Sequence, residues 1–495
     1  MSCGDNSMVF HLILIKIPNY SSMKTKLIKF FFINFLVFFS NNFAIAKTTE
    51  NSNSPKKLIL DEVTKSAITN YPEILKFYEK IETNKGKILQ NKGFFDIKLK
   101  AQYQDKTRGF YDGKISDYSL EKQNEFLGSK IYGGYRKSFD DFAPYDGNYN
   151  TNSRGEYRIG GSVSLLRNRE IDEFRLDLFN SELSFKETTM QLEKLKLDIK
   201  RDAIKSYYNW LTAGHIFKTY HDLYELAKHR QEQLKIRHQK GDIAKIILVE
   251  NERNILQRNS LMLEAKNNFE NSAIALSIYY RQTDGTPLSP KNEELPEINF
   301  INQEFSNLNI SKDIEFALQN RPEMKIINIQ KNIEQNNLLQ AKNLYLPKLD
   351  LNFEASKDLG KGPISRSQGN NQIRLDFELP IQQNIAKGKI LQSTAMLNLL
   401  KIEEQFLTDK IRNEIQQISN SIATTTTIFN NYLNEYKLSH ILEMAERERF
   451  KQGNSEFFLI NLREQEVASA RINKLIAFLK YQSFKADYNV AIFRQ

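Results

Sequence analysis

The sequence predicts a mainly helical chain with a few membrane β-strands, built as two copies of one unit: helix, two strands, long helix, helix. Three observations carry this. A run from Arg167 to Lys240 contains no proline and a single glycine, Gly214. The hydrophobic period switches from helical to two in short stretches on either side of it. The whole pattern then repeats in the second half of the chain.

The long run comes first. Leu176, Leu183, Met190, Leu197, Ile204 and Leu211 recur every seven residues. Leu178, Phe185, Leu192 and Ile199 form a second such set, offset by two. Two positions on a helix lie about 200° apart, so the stripes occupy roughly opposite sides. One stripe suffices for a surface helix or a two-stranded coiled coil. Two opposed stripes predict neighbours on both flanks, as in a cylinder of helices. At about 1.5 Å per residue the run would reach roughly 100 Å, a length for crossing a compartment.

At the front, Met23-Lys24-Thr25-Lys26-Leu27-Ile28-Lys29 reads as a basic n-region and Phe30–Phe39 as an apolar h-region. Ala44-Ile45-Ala46 reads as a small-x-small cleavage site. Residues 1–46 are thus an upstream segment plus signal peptide, with Met23 the expected start and cleavage after Ala46. No cysteine at the cleavage point would take a lipid anchor. Past Lys47 no run of about 18 apolar residues exists, so no helix is expected to span a membrane.

Residues 47–57 are a polar leader. The first copy, 58–281, opens with a helix from Leu58 to about Asn91, interrupted near Tyr71-Pro72. Strands follow at about 94–104, where Phe95, Ile97, Leu99, Ala101 and Tyr103 alternate with polar residues, and at 156–166. A long Tyr-, Gly- and Asp-rich loop, 105–155, is expected between them. The long helix ends in a turn near Gly241-Asp242, and a return helix runs to about Arg281. Residues 282–310, with Pro287, Pro290 and Pro296, form a linker.

The second copy is 311–495. Asn320-Arg321-Pro322-Glu323 repeats Asn70-Tyr71-Pro72-Glu73, and strands at about 347–356 and 371–380 repeat the first pair. A helix from about Asn384 to Gln452 ends at Gly453-Asn454, which matches Gly241-Asp242, with Arg449 matching Arg237. The last helix runs to about Phe493. The extra residues of the first copy fall in the 105–155 loop. Each strand has the length of a bilayer-crossing strand, about 9–11 residues. The apolar face suits lipid; Lys98, Lys100, Arg158, Asp376 and Glu378 would face water. A half-buried sheet in an α+β domain reads the same from alternation alone. Four strands cannot close a barrel, and an open edge is forbidden in lipid, so closure needs several chains. Three would supply twelve strands, an even count.

The net charge of +10 is partly the lysines of the front segment. The remainder mixes both signs without a compact basic patch, so nucleic acid is not expected. Cys3 is the only cysteine, which rules out a disulfide framework or thiolate metal site, and no His pair has metal-ligand spacing. No metal or other cofactor is expected. The sequence also lacks a Walker loop, Gly-x-Ser-x-Gly and His-Glu-x-x-His, so an enzyme is not expected.

The chain resembles the outer-membrane efflux factor family, the TolC-like channel proteins. The resemblance covers about 58–495. It rests on the duplicated order, on Leu346-Pro347-Lys348-Leu349-Asp350-Leu351 opening a strand and on Leu375-Asp376-Phe377-Glu378-Leu379-Pro380 closing one. Arg449-Phe450-Lys451-Gln452-Gly453 followed by Asn461-Leu462-Arg463-Glu464 adds to it, as do Ser164-Leu165-Leu166-Arg167 and Ile171-Asp172 in the first copy. The resemblance implies a homotrimer in the outer membrane, with one twelve-stranded β-barrel of four strands per chain continuing into a periplasmic α-helical barrel. It implies a passive exit channel for an efflux or type I secretion system. Its partners would be a periplasmic adaptor, an inner-membrane pump or ABC exporter, and outer-membrane lipid.

In that family the helix turns at the periplasmic tip follow a glycine, and acids just beyond can constrict the entrance. Gly241, Asp242, Gly453 and Asn454 are therefore the adaptor-contact candidates. Glu250, nine residues past Gly241, is the entrance candidate of the first copy. In the second copy Leu459 and Leu462 occupy the usual acidic places, leaving Asn461 and Glu456 as candidates and weakening the expectation of strong cation selectivity. The 105–155 segment would emerge outside the cell as a structured lid, a contact surface or a mobile loop. Its tyrosines are Tyr111, Tyr118, Tyr132, Tyr135, Tyr145 and Tyr149. The alternative from another class is an exported periplasmic coiled-coil scaffold that never enters the membrane.

Overall fold

The computed structural model describes residues 56–110, 112–139, 142, 149–298 and 309–494. The signal peptide, most of the polar leader, Tyr111, Tyr145 and part of the linker lie outside the described residues.

Eight helices longer than two turns are described. In the first copy α1 is Leu60–Asn70, α2 Pro72–Lys92, α3 Glu173–Gln239 and α4 Lys245–Leu276. In the second, α5 is Ile310–Asn320, α6 Pro322–Tyr345, α7 Asn384–Lys451 and α8 Phe457–Ala491. The repeat is local chemistry as well as order. Pro72 and Pro322 each sit at the first turn of a helix, where the missing N–H costs nothing. The 67-residue α3 begins at Asp172, whose side chain accepts from the Arg175 amide at 2.9 Å, an N-cap.

The long helices set the architecture. α3 packs against α2 and α4 along one flank and against α6 and α8 along the other; α7 packs against α6 and α8. The shorter helices thus stack end to end in two rows, and every level is a layer of four helices with α2 or α4 at one edge and α7 at the other. Both predicted stripes of α3 are buried or half-buried from Leu176 to Leu211. The largest core cluster lies midway, where Trp210 and Phe269 are nearly inaccessible and Leu276 and Val63 close around them. Gly214 is explained there. A Cβ on it would stand 2.7 Å from Leu295 of the linker and 2.8 Å from Phe269, so the glycine is the groove through which the linker crosses α3.

The sheet departs from expectation. Among the described residues it has six antiparallel strands in sequence order, not four: β1 Ile97–Lys106, β2 Gly113–Gln123, β3 Lys130–Ser138, β4 Glu156–Ser164, β5 Lys348–Asp358 and β6 Asn370–Glu378. The expected strand pairs are β1 and β4, then β5 and β6. The expected loop at 105–155 contains β2 and β3, which insert between β1 and β4. In β3 the alternation is hard to read because Gly133 and Gly134 stand where side chains would. A Cβ on Gly160 would meet the Tyr132 ring at 2.5 Å, and one on Gly134 the Tyr118 carbonyl at 2.8 Å. The Tyr132 ring of β3 fills the space over Gly160 of β4, so the cross-strand surface is complete there although β4 alone looks broken.

Candidate functional site

Strand register divides the sheet into two chemically distinct faces. Following one row of partners, Ala101 stands opposite Tyr118, Tyr118 opposite Tyr135, and Tyr135 opposite Tyr157. The next strands continue this face with Leu351 opposite Val163 and Leu375 opposite Leu351. These side chains are uncovered: Leu99 is 74% exposed, Ile373 80% and Phe377 66%. Tyr118, Tyr135 and Tyr157 form an aromatic row on this face, with the Tyr135 and Tyr157 rings 5.1 Å apart.

The opposite face is an ionic lattice running across strand boundaries. Glu121 on β2 accepts Lys100 of β1 at 2.6 Å and Lys130 of β3 at 3.0 Å. Asp117 on β2 takes Arg158 of β4 through both oxygens at 2.6 Å. Arg136 reaches Glu156 at 2.6 Å, and Tyr132 donates a short hydrogen bond to Glu354 of β5. Asp376 accepts from Asn352 at 2.8 Å and from Arg374 at 3.1 Å. The predicted wet-face residues Lys98, Lys100, Arg158, Asp376 and Glu378 all lie on this side by register.

The sheet joins the helices through Arg175. This buried guanidinium bonds Asp172 at 2.9 Å and donates to the carbonyls of Arg169, Glu170 and Glu125 at 3.0, 2.9 and 3.1 Å. Glu125 belongs to the β2–β3 turn, so that hairpin is pinned to the start of α3. At the opposite end Arg154 donates to the Leu359 carbonyl at 2.9 Å and Ser153 to Lys361 at 3.0 Å, tying the β3–β4 connection to the β5–β6 loop.

At the far end of the helices the two predicted turns are the same motif. Gly241 has φ +81° and Gly453 φ +78°. The Asp242 amide returns to the Arg237 carbonyl at 3.0 Å, and the Asn454 amide to the Arg449 carbonyl at 2.9 Å. These bonds close the helix by a left-handed glycine. All four turn residues are exposed, and a Cβ on either glycine would meet open space. Backbone angle, not crowding, selects glycine at both.

The entrance candidates separate. Glu456 is exposed beside the first turn of α8, and Glu250 is half-buried in the wall of a cleft of about 170 Å³ between α4 and α8. Asn461 is at the floor of the same cleft and turned inward. Its oxygen accepts from Arg230 of α3 at 2.8 Å and Arg258 of α4 at 3.4 Å, and its amide donates to the Phe457 carbonyl at 3.1 Å. The sequence reading missed Glu464, one turn on. Its carboxylate is almost inaccessible and takes Arg230 through two bonds, one at 3.0 Å, and Arg258 at 3.2 Å. Arg447 of α7 stands 3.9 Å away. Burial lowers the Arg258 pKa against the pull of Glu464. The signal was present as Asn461-Leu462-Arg463-Glu464, but an acid on a helix does not announce which arginines will face it.

No protein-family model and no curated protein matches the sequence. Solved structures do. The Campylobacter jejuni CmeC outer membrane channel superposes with a TM-score of 0.62 at 15% identity, over 88% of this chain and 85% of that one. The Neisseria gonorrhoeae MtrE outer membrane channel, in its open state, gives 0.60 at 12%, covering 88% of each. The outer membrane protein VceC of Vibrio cholerae gives 0.60 at 10%, over 88% of this chain and 95% of that one. The chain has the outer-membrane channel fold. Within that fold the two-faced sheet is the barrel portion and α1–α8 form the helical portion.

Proposed function

We propose that the chain is the outer-membrane exit channel of a multi-component efflux or type I secretion system, a passive conduit from periplasm to exterior. The observation that carries this is that sheet and helical layer are both left open at the same two edges. Among the described residues, β1 and β6 each lack a strand partner on one side. The edge helices carry uncovered apolar stripes: Val249, Leu256 and Leu263 every seventh residue on α4, and Leu399, Ile402 and Phe406 on α7. The α2–β1–α4 side and the β6–α7 side are different surfaces of one chain, so contact between them is head-to-tail, and it forms a ring where the rotation closes. The family resemblance supports a homotrimer as that ring. The apolar sheet face then meets lipid, and the ionic face lines a water-filled lumen.

In this assembly Gly241, Asp242, Gly453 and Asn454 form the contacts for a periplasmic adaptor, and an inner-membrane pump or exporter supplies the substrate. Glu250 and Glu456 stand nearest the entrance. The channel needs no chemistry of its own. The alternative, an exported coiled-coil scaffold, leaves a six-stranded apolar face in water, well beyond the patch size that isolated soluble chains tolerate.

Electron microscopy of the protein extracted from outer membranes in detergent, with no symmetry imposed, tests the proposal. A threefold tube well over 100 Å long, with a detergent belt at one end, is expected. A thin rod without a belt, or extraction without detergent, would overturn it in favour of the scaffold.

A further inference from the structure

The inserted hairpin has the properties of barrel wall, not of a loop. β2 and β3 are 11 and 9 residues long, matching their neighbours and the length that crosses a bilayer. They are paired along most of their length to β1, to each other and to β4. Their outward residues Tyr118, Leu120, Ile131 and Tyr135 continue the apolar face without a break. Lys114, Lys122 and Lys137 on the same face stand near the strand ends, where lysines can reach an interface. Their inward residues are indispensable to the lattice, since Asp117 and Glu121 hold Arg158, Lys100 and Lys130. The turn between them is fastened to α3 by Arg175.

From this, and resting on the trimeric channel reading above, we infer that the assembled barrel has eighteen strands, six from each chain, rather than twelve. The remaining edges favour such closure. β1 begins with Lys98 and Lys100 on the inward face, and β6 ends with Asp376 and Glu378 on the same face. Run antiparallel, these ends bring opposite charges together at the seam between copies. Perimeter agrees as well. Three four-helix layers with axes about 9 Å apart enclose a ring of roughly 110 Å. Eighteen strands about 4.8 Å apart, tilted by about 40°, also enclose roughly 110 Å, whereas twelve would enclose roughly 75 Å. The wider barrel continues the helical tube without a taper, and its lumen is about one and a half times as wide as that of a twelve-stranded barrel.

The test is a set of single cysteines at Tyr118, Ser119 and Leu120 on β2 and at Arg374 and Leu375 on β6, each carrying a bimane label in reconstituted full-length channel. Quenching by brominated lipid and by aqueous iodide is then compared. Positions 118, 120 and 375 are expected to be quenched several-fold more by lipid, and 119 and 374 by iodide. If 375 and 374 alternate while 118, 119 and 120 all follow iodide, the hairpin lies outside the bilayer and the eighteen-strand barrel is wrong, with the channel reading intact. If 375 also fails to see lipid, the channel reading falls with it. Microscopy of the unmodified trimer at strand-resolving detail supplies a count that depends on no variant: eighteen supports the inference and twelve overturns it.

Discussion

Arg230 and Glu464 are 234 residues apart in sequence and form a buried two-bond ion pair near the helical tip. The pair joins α3 to α8, and Arg258 adds α4 through the same carboxylate. Two guanidiniums therefore share one carboxylate away from water, so the acid is the keystone. Removing one partner of a buried pair typically costs about 3–5 kcal/mol, because the remaining charge is uncompensated. Glu464→Ala should loosen the tip helices. Hydrogen exchange around 223–258 and 457–465 should accelerate, while the α1–α2 region is unchanged. Equal protection in both proteins would remove the keystone role.

Gly214 should tolerate no side chain. Gly214→Ala places a Cβ 2.7 Å from Leu295, and overpacking of this kind costs about 1–3 kcal/mol. Thermal unfolding should fall by several degrees, and a Leu295→Ala second change should restore part of the loss. Additive effects in the double variant would show that the linker does not cross at this point.

The tip turns should respond to backbone angle alone. Gly241→Ala and Gly453→Ala force alanine into left-handed backbone, at about 1–2 kcal/mol. Gly241→Asn should be milder, since asparagine tolerates this region. If alanine and asparagine behaved alike in melting and in adaptor binding, the positive φ would not be the governing feature.

Lys474 gives a pH dependence of defined sign. Burial, reinforced by Arg471, pulls its amine down to about 8, below the value near 10.4 of an unfolded chain. Between these values the unfolded state binds more protons, so stability rises with pH across the window of about 8 to 10. Below about 8 the burden is fully present. Its ammonium lies 4.0 Å from the Tyr436 ring centroid, which offsets part of it. Lys474→Met should melt higher than the natural protein at pH 7, and the advantage should shrink by pH 10. An advantage constant with pH would point to packing instead.

The two sheet faces should differ in tolerance to charge. Leu375→Arg places a cation on the apolar face, where a mid-bilayer position costs about 2–4 kcal/mol. Asn352→Arg on the ionic face should assemble normally. Comparable trimer yields for the two would argue against a lipid-facing surface.

Much of this architecture was legible because it is written in local periods. The seven-residue repeats of α3, the twin prolines at Pro72 and Pro322 and the matched turns at Gly241 and Gly453 are short-range features, and each lies where expected. The entrance was less legible. Glu250 and Glu456 are entrance candidates by resemblance alone, whereas Asn461 faces inward because Arg230 and Arg258 arrive from other helices to meet it.

The hairpin marks the boundary most plainly. By itself the sequence determined the duplicated order, the two-flanked long helices and four amphipathic strands, since alternation and helical spacing depend only on neighbours along the chain. Tertiary structure decided that Lys114, Tyr118, Gly133 and Tyr135 belong to two further strands. Their fit depends on cross-strand partners: Tyr132 lying over Gly160, Asp117 meeting Arg158, and Arg175 holding the turn. A residue's role in a sheet is set half by its own strand and half by strands distant in sequence, and only folding brings the second half into view.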